Sequence, residues 1–523
     1  MNIILDRFPL STEEKVRNYF NKKGFKTVIS VLTIQSINPP QSNEGTEFFM
    51  DRTIARGSFI EQIPWILTSD DINTFSKYES LILSLISRYD LNQKNFSQGE
   101  LSEHYLNLLN FWSYKINQSD IGAIFSHYLP HDPSSFVLYV LSKERKIPYI
   151  FIDCPVIANS YKFMSCSFGE RLLLLRSDDN KPDNFNYNIE DYISSLVENS
   201  DNAIPIPVRI NATKETRRSL NENLYKIREI FLNGGFNDLL QKFINNFPFI
   251  SIILFTRKTI NTSAKTFFKV NRKKYSSEFS DFNVASYKIF LKVLKIKLFF
   301  KRQSYKRKAL QIIPDSKFIY FAAPAQPEAT TLPSALEQRR VFVALRMLKE
   351  ALPDDVRILF KENPVIFTLK NPYISGADNS KHNYYESILE IGKIDFIDSN
   401  INTLEIIESS IGVAAINGTA PIEAVIKNKP AITLSTNWYD DIDGVFKCKS
   451  VNDMKEAIEA MLMPKKITTN ISSIPFNKDI LIEINKEKHT PYEYDENIQD
   501  KIPFMFDSAL ELFNNLDERK WKI

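Results

Sequence analysis

The chain has little of what metal and disulfide chemistry require. Its three cysteines, Cys154, Cys166 and Cys448, show no metal-ligand spacing and make no even framework, which fits free, buried thiols in a reducing compartment. Five histidines are scattered along 523 residues, with only His127 and His131 close together, so no zinc site can be assembled from the sequence. The longest apolar run, FPFISIILF at 247–255, is far short of the roughly 20 residues that span a bilayer. The opening MNIILDRF has no basic leader region and only a brief apolar run, so a secretory leader is not expected. These absences lead to the expectation of a cytoplasmic protein. Apolar content of 43% and charged content of 25% are those of an ordinary globular chain, and the length suits about two to four domains.

Positive charge is concentrated in one place. The net charge is +3, yet Arg257 to Lys308 holds sixteen Lys/Arg against two acids, so the remainder of the chain is acidic. Within it, Lys288, Lys292 and Lys295 recur at helical spacing, as do Phe290, Leu291, Leu294 and Leu298. This reads as a basic amphipathic helix over 288–308. It is either an ordinary solvated face or a contact with the anionic inner surface of the cytoplasmic membrane. No nucleic-acid motif accompanies it, and no nucleic-acid partner is expected.

Two stretches follow a strand–loop–helix–strand plan. In the first half, 121–128 reads as a buried strand, LPHDP as a turn with Asp132 and Pro133 at the N-cap and first position of a helix over 134–145, and 147–153 as the next strand. In the second half, 411–416 reads as a strand, NGTA as a tight turn, a helix begins near Pro421, and PAITL is the following strand. KFIYF, VRILF and IDFID add strands, with helices over 334–351 and 402–410 between them. Strands alternating with helices imply parallel sheets wound on both faces. The division expected is an N-terminal Rossmann-like domain (1–205), a mostly helical basic connector (206–312), a C-terminal Rossmann-like domain (313–490) and a C-terminal helix (491–523).

In such sheets ligands bind beyond the carboxyl ends of the strands, which sorts the polar residues. His127, His131 and Asp132 end a strand in the first half, with Asp153 at another. In the second half, Asn417 and Gly418 permit a tight turn, Gly418 lets a backbone approach a ligand closely, and Thr419 can cap the helix, so the turn makes an anion site. Glu423, one turn on, can accept from a ribose. Lys361, Glu362 and Asn363 end another strand, where the lysine can meet a phosphate. The proline-stiffened loop FAAPAQPEATTLP holds Gln326 and Glu328 rigidly enough to face a sugar or base. Trp438 and Tyr439 offer aromatic faces. Each has a plainer reading as a solvated turn, a stiff connector or core packing.

The order YFAAPAQPEATTLP, LFKENP, INGTAPIEAVIKNKPAITLSTNWYDD resembles the capsule polysaccharide biosynthesis family, which includes Kdo transferases of capsule and lipopolysaccharide assembly. The resemblance covers about 315–445 and extends into PHDPSSFVLYVLSKERKIPYIF. It implies a GT-B glycosyltransferase: two Rossmann-like, doubly wound domains facing a central cleft, with the nucleotide-sugar donor on the C-terminal domain, CMP-linked where the sugar is Kdo or a related acidic sugar, and a glycan or glycolipid acceptor toward the N-terminal one. It makes Gln326 and Glu328 active-site residues of a QPE loop. No further cofactor and no metal ion is expected. One departure is plain: the family's His-Pro is here Asn363-Pro364, and an amide stabilises a leaving phosphate less than a charged donor does.

The reading is a glycosyltransferase, with Asp132 and His131 as base or nucleophile, Glu328 as a further catalytic group, and Gln326, Lys361, Asn363, Asn417, Gly418, Thr419, Glu423, Trp438 and Tyr439 around donor and substrate. Its rivals are a polyol-phosphate transferase, a sugar-nucleotide epimerase, and a non-catalytic glycan-assembly scaffold, which Asn363 favours.

Overall fold

The structure is a computed structural model. It describes residues 1–33, 45–55, 57, 62–86, 97–127, 129–153, 162–165, 173–174, 296, 298–325, 335, 340–367, 383–435, 437, 439–440 and 442–463. Two seven-stranded sheets organise them. The first contains β1 (Asn2–Pro9), β2 (Lys26–Thr33), β3 (Glu47–Met50), β4 (Ile121–Ser126), β5 (Tyr149–Asp153), β6 (Lys162–Ser165) and β7 (Leu173–Leu174), in the order β3-β2-β1-β4-β5-β6-β7. The second contains β8 (Ala309–Leu310), β9 (Phe318–Ala322), β10 (Arg357–Lys361), β11 (Ile394–Ile397), β12 (Gly412–Ala415), β13 (Ala431–Thr433) and β14 (Val445–Lys447), in the order β14-β13-β12-β9-β10-β11-β8. All pairs are parallel except β5–β6 and β6–β7, so the far edge of the first sheet departs from the parallel expectation.

Alternation along each strand explains why both faces are covered. In β9, Ile319 and Phe321 pack with the helices Val341–Ala351 and Val451–Leu462, while Phe318 and Tyr320 pack with Thr403–Ser409 and Ala420–Ile426. Successive side chains of a strand point to opposite faces, so an unbroken apolar run fills both layers. The first sheet does the same. Ile4, Ile29, Val31 and Ile124 meet the helices Gln98–Ser119 and Pro133–Glu144. On the opposite face, Phe20 of the helix Leu10–Lys22 packs on Phe125 with ring centroids 4.4 Å apart. The expected βαβ units are present. Asp132 is the N-cap of Pro133–Glu144, its side chain accepting from the Ser135 amide, with Pro133 in the first turn.

The helix 298–308 carries one correction. The connector was expected to run to residue 312, but this helix is anchored in the second domain and leads directly into β8. Tyr305 is fully buried; its ring stacks on Phe396 and its hydroxyl donates to the Ile397 carbonyl at 2.6 Å. Lys306 lies 3.6 Å from Asp398 and Lys308 lies 3.1 Å from Glu386, so part of the positive charge answers acids of that domain. Residues 288–295, the rest of the connector over 206–295, and the helix expected over 491–523 lie outside the described residues. Among the described residues no helix is long and apolar enough to cross a membrane. Cys448 is a buried free thiol; Cys154 and Cys166 are outside the described set.

Candidate functional site

Strand register brings the second-half loops together. Ala322 of β9 pairs with Lys361 of β10 on one side and with Ala415 of β12 on the other, and Ala415 pairs with Thr433 of β13. The loops at 323–330, 361–363, 416–419 and 434–440 therefore leave the sheet side by side. Strand order reverses between β9 and β12, the switch point at which parallel sheets of this kind bind ligands. Gln326, Glu328 and Trp438 belong to these loops and lie outside the described residues.

The turn after β10 is held from below. Lys361 is buried, and its ammonium donates to the Ile401 carbonyl and to the Thr403 hydroxyl at 2.8 Å. Burial pulls its pKa down to about 8, opposed by the carboxylates of Glu423 and Asp398. The lysine expected to meet a phosphate thus spends its donors on the neighbouring loop. Glu362, singled out only as a strand-end residue, proves central. Its carboxylate accepts from the Tyr385 hydroxyl at 3.0 Å and from the Asn363 amide at 3.0 Å. Its own amide donates to Tyr305 Oη at 2.9 Å. Burial raises its pKa, while Lys301 of the basic helix pulls it down. Asn363 in turn accepts from the Val365 amide at 3.0 Å, an Asx turn that fixes the start of the short helical turn Pro364–Phe367.

The turn after β12 is equally anchored. Gly418 has φ +116°, a region that disfavours a Cβ, and a Cβ built there would meet nothing within 4 Å. The close approach expected of this glycine is therefore not made by the protein itself; the space above it is open. Thr419 holds the cap position of the helix Ala420–Ile426 without a side-chain cap bond. Its hydroxyl engages Glu423 instead, which corrects its expected capping role. Glu423, expected to face a ribose, is buried beneath the turn. Burial pushes its pKa up to about 7, and Thr419 and Lys361 restrain it. Tyr439 is buried too. Its hydroxyl donates to the Gly418 carbonyl, so it clamps the turn and offers no exposed stacking face. Asn417 Oδ1 accepts from the Gly418 amide at 2.6 Å, and the Ser435 hydroxyl donates to the Ile416 carbonyl at 2.8 Å.

The first sheet has a matching switch point between β1 and β4. His127 follows β4, and His131 and Asp132 complete the loop before the next helix. The neighbouring strand supplies two residues that sequence reasoning missed, Asp6 and Arg7. Arg7 Nη1 donates to Asp132 Oδ2 at 2.6 Å, and its Nε lies 3.8 Å from Asp51. Asp6 is fully buried and accepts from the Tyr149 hydroxyl at 2.8 Å and the Ser126 hydroxyl at 3.3 Å. Burial and the nearby Asp132 carboxylate raise its pKa to about 6. Burial lowers His127 to about 3, with Arg7 adding to the effect, so this ring is neutral. The available signal was a charged pair closing an apolar run, IILDR. The side chain of Asp153 lies outside the described set.

Comparison with known proteins adds the following. The chain is similar over 33% of its length to 54% of the β-Kdo 2,7-transferase KpsC of Thermosulfurimonas dismutans, at 16% identity and TM-score 0.20. The chain thus spans about half of that protein. It is also similar to the UDP-GlcNAc 2-epimerase of Methanocaldococcus jannaschii, at 12% identity, 89% and 93% coverage and TM-score 0.23. A third likeness is to an α,α-trehalose-phosphate synthase of Burkholderia vietnamiensis, at 8% identity, 98% and 99% coverage and TM-score 0.28. At these scores the three likenesses carry no assignment of activity. No curated protein sequence matches the chain. Residues 334–473 match the model of the family described as "Capsule polysaccharide biosynthesis protein". The match takes in β10 to β14 and the turns at 361–363 and 417–419, and begins just beyond the loop bearing Gln326 and Glu328. Through its second domain, the chain is a member of the capsule polysaccharide biosynthesis family.

Proposed function

We propose that the protein is a glycosyltransferase of capsule-type polysaccharide assembly, taking a sugar from a nucleotide donor held at the β9/β12 switch point. The observation that carries this reading is the level alignment, at that point, of the turns 361–363 and 417–419 from the family match. The donor phosphates lie over Gly418, where the turn is clamped and the space above it open. Asn363, its carbonyl committed to the Asx turn, presents its amide N–H groups to the leaving phosphate. Gln326 and Glu328 act from the adjacent proline loop, and the acceptor hydroxyl meets the Asp132–His131 loop of the first domain across a central cleft. The sugar is Kdo or a related acidic sugar on a CMP carrier.

The test is melting of the full chain with CMP, UDP and GDP, followed by sugar release from the corresponding donors. One nucleotide class should raise the melting temperature, since a ligand at a hundred times its Kd adds about 2.7 kcal/mol. Gly418→Val should weaken that nucleotide by about tenfold or more, because its side chain fills the open space. The fold should lose only the roughly 1–2 kcal/mol of an unfavourable φ. If no nucleotide shifts melting and no donor is consumed, the reading fails.

The acceptor of such an enzyme is lipid-linked, and we place the basic helix at the anionic membrane surface. Supporting this, Phe300 and Ile312 are largely exposed beside Arg307. Lys301, Lys306 and Lys308 already answer Glu362, Asp398 and Glu386, so the residues to change are Phe300, Arg302 and Arg307. Sedimentation with phosphatidylglycerol vesicles should show binding that falls with salt, as the Debye length shrinks from about 10 Å to about 3 Å between 0.1 and 1 M. The combination Phe300→Ser, Arg302→Gln, Arg307→Gln should weaken it. Equal binding to neutral vesicles would reject the electrostatic contact.

A further inference from the structure

Asp132 and His131 stand together, and the sequence leaves open which of them takes a proton. Their hydrogen bonds separate the roles. Both oxygens of Asp132 are committed: Oδ1 accepts from the Ser135 amide at 3.0 Å as the helix N-cap, and Oδ2 accepts from Arg7 Nη1 at 2.6 Å. Burial opposes its ionisation, but Arg7, the Ser135 amide and the adjacent His131 outweigh it and hold the carboxyl below its ordinary range. A carboxylate so stabilised is a weak base, because efficient proton transfer needs a pKa near the working pH. His131 differs. Its Nδ1 lies 2.8 Å from the Leu129 carbonyl oxygen, which can only accept, so Nδ1 carries the hydrogen and Nε2 of the neutral ring holds the lone pair. Arg7 Nη1 also lies 3.3 Å from His131 Nδ1, so one guanidinium nitrogen touches both residues. Arg7 is itself set in place by backbone. It has φ +62°, within the stretch Leu5 to Phe8 where the β1–β2 register shifts, and Asp51 flanks it from the helix Asp51–Ala55.

We infer, resting on the transferase reading, that His131 Nε2 is the proton acceptor for the acceptor-sugar hydroxyl and that the Arg7–Asp132 ion pair is the device that positions it. As the acceptor oxygen bonds to the anomeric carbon, its proton passes to Nε2 and the ring becomes an imidazolium. The bonding pair of the anomeric carbon–phosphate oxygen bond leaves with the nucleotide. The charged groups around the ring are Arg7 from β1, Asp132 from the following helix and Asp51 behind Arg7. Asp6 and neutral His127 form the layer beneath. Asp132 favours the imidazolium and Arg7 disfavours it, so their removal acts in opposite directions.

The experiment is a histidine-selective ¹⁵N NMR titration of the full chain, with His131 assigned by His131→Gln, alongside pH profiles of sugar transfer from a panel of CMP-, UDP- and GDP-sugars. His131 should show the Nδ1–H tautomer. Its pKa should fall in Asp132→Asn, which keeps a good N-cap, and rise in Arg7→Gln, while Arg7→Lys, which keeps the charge, stays near the parent. The acid limb of the transfer profile should move the same way in each variant. His131→Gln should lose about 10²-fold or more in kcat, against a much smaller loss in Asp132→Asn. An Nε2–H tautomer, unmoved pKa values, or a loss in Asp132→Asn as deep as a missing base would overturn the assignment. If the parent chain transfers no sugar at all, the transferase reading fails, and the tautomer and the opposed shifts still decide the role of the Arg7–Asp132 pair.

Discussion

Glu362→Ala is expected to destabilise the second domain by about 3–5 kcal/mol, the cost of removing one partner from a buried ion pair. The carboxylate satisfies the Tyr385 hydroxyl and the Asn363 amide and faces Lys301 across the interface with the helix 298–308. Alanine leaves two buried donors unpaired, each costing about 1–3 kcal/mol, and a half-buried ammonium without its counter-charge. Burial already draws that ammonium down to about 8 even with Glu362 in place. Glu362→Gln keeps the hydrogen bonds and should lose much less. Urea unfolding of the full chain measures both, and a cycle with Lys301→Met isolates the coupling. A loss under about 1 kcal/mol for alanine would mean that solvent satisfies these groups and that the helix is not locked to the domain. Because Glu362 also fixes the Asn363 backbone, the variant should bind nucleotide more weakly at temperatures where it remains folded.

Asp6→Asn should do the reverse and stabilise the first domain, but only above mildly acidic pH. Asp6 titrates near 6 in the folded chain, against 3.8 for an ordinary aspartate. The folded state therefore holds this proton more tightly than the unfolded chain. Below about pH 4 both states are protonated and nothing is lost. Between pH 4 and 6 the unfolded chain ionises first and stability falls. Above 6 the penalty is complete, about 3 kcal/mol for a roughly hundredfold difference in proton affinity. Asparagine cannot ionise, its carbonyl can accept from Tyr149 and Ser126, and the nearby Ser135 hydroxyl can receive its amide hydrogen. Melts of both proteins from pH 4 to 8 should converge at the acid end and separate toward neutrality. A difference independent of pH would show that Asp6 is not ionised within a buried site. A carboxylate kept at this cost beside Arg7 and Asp132 is what a functional site retains and stability alone would remove.

The second-half strands were legible because each is a short apolar run closed by a turn signal: KFIYF, VRILF, IDFID and PAITL all fall within a residue or two of β9, β10, β11 and β13. The helix expected over 334–351 is described only as Val341–Ala351. The N-terminal unit Asn2–Thr33 is not legible, because IIL alone does not distinguish a strand from a buried helix segment. With it go Asp6 and Arg7, and so the partner of Asp132. Spacing places Lys361, Glu423 and Tyr439 at the right strand ends but cannot give their direction. All three turn inward, because the turn they support has backbone groups to satisfy and they are the nearest polar side chains. Glu362 is underrated for the same reason: its partners, Tyr305, Tyr385 and Lys301, come from separate segments.

The register that levels Ala322, Lys361 and Ala415 also divides the chain into positions that can and cannot change in number. One residue inserted within β9 would exchange Phe318 and Tyr320 with Ile319 and Phe321 between the two layers and displace the following loop by about 3.3 Å. The same insertion after Ala322 only lengthens a loop. Lineages of this domain can therefore diverge in what they hold by gaining or losing residues just past the strand ends, while the length of each strand stays fixed.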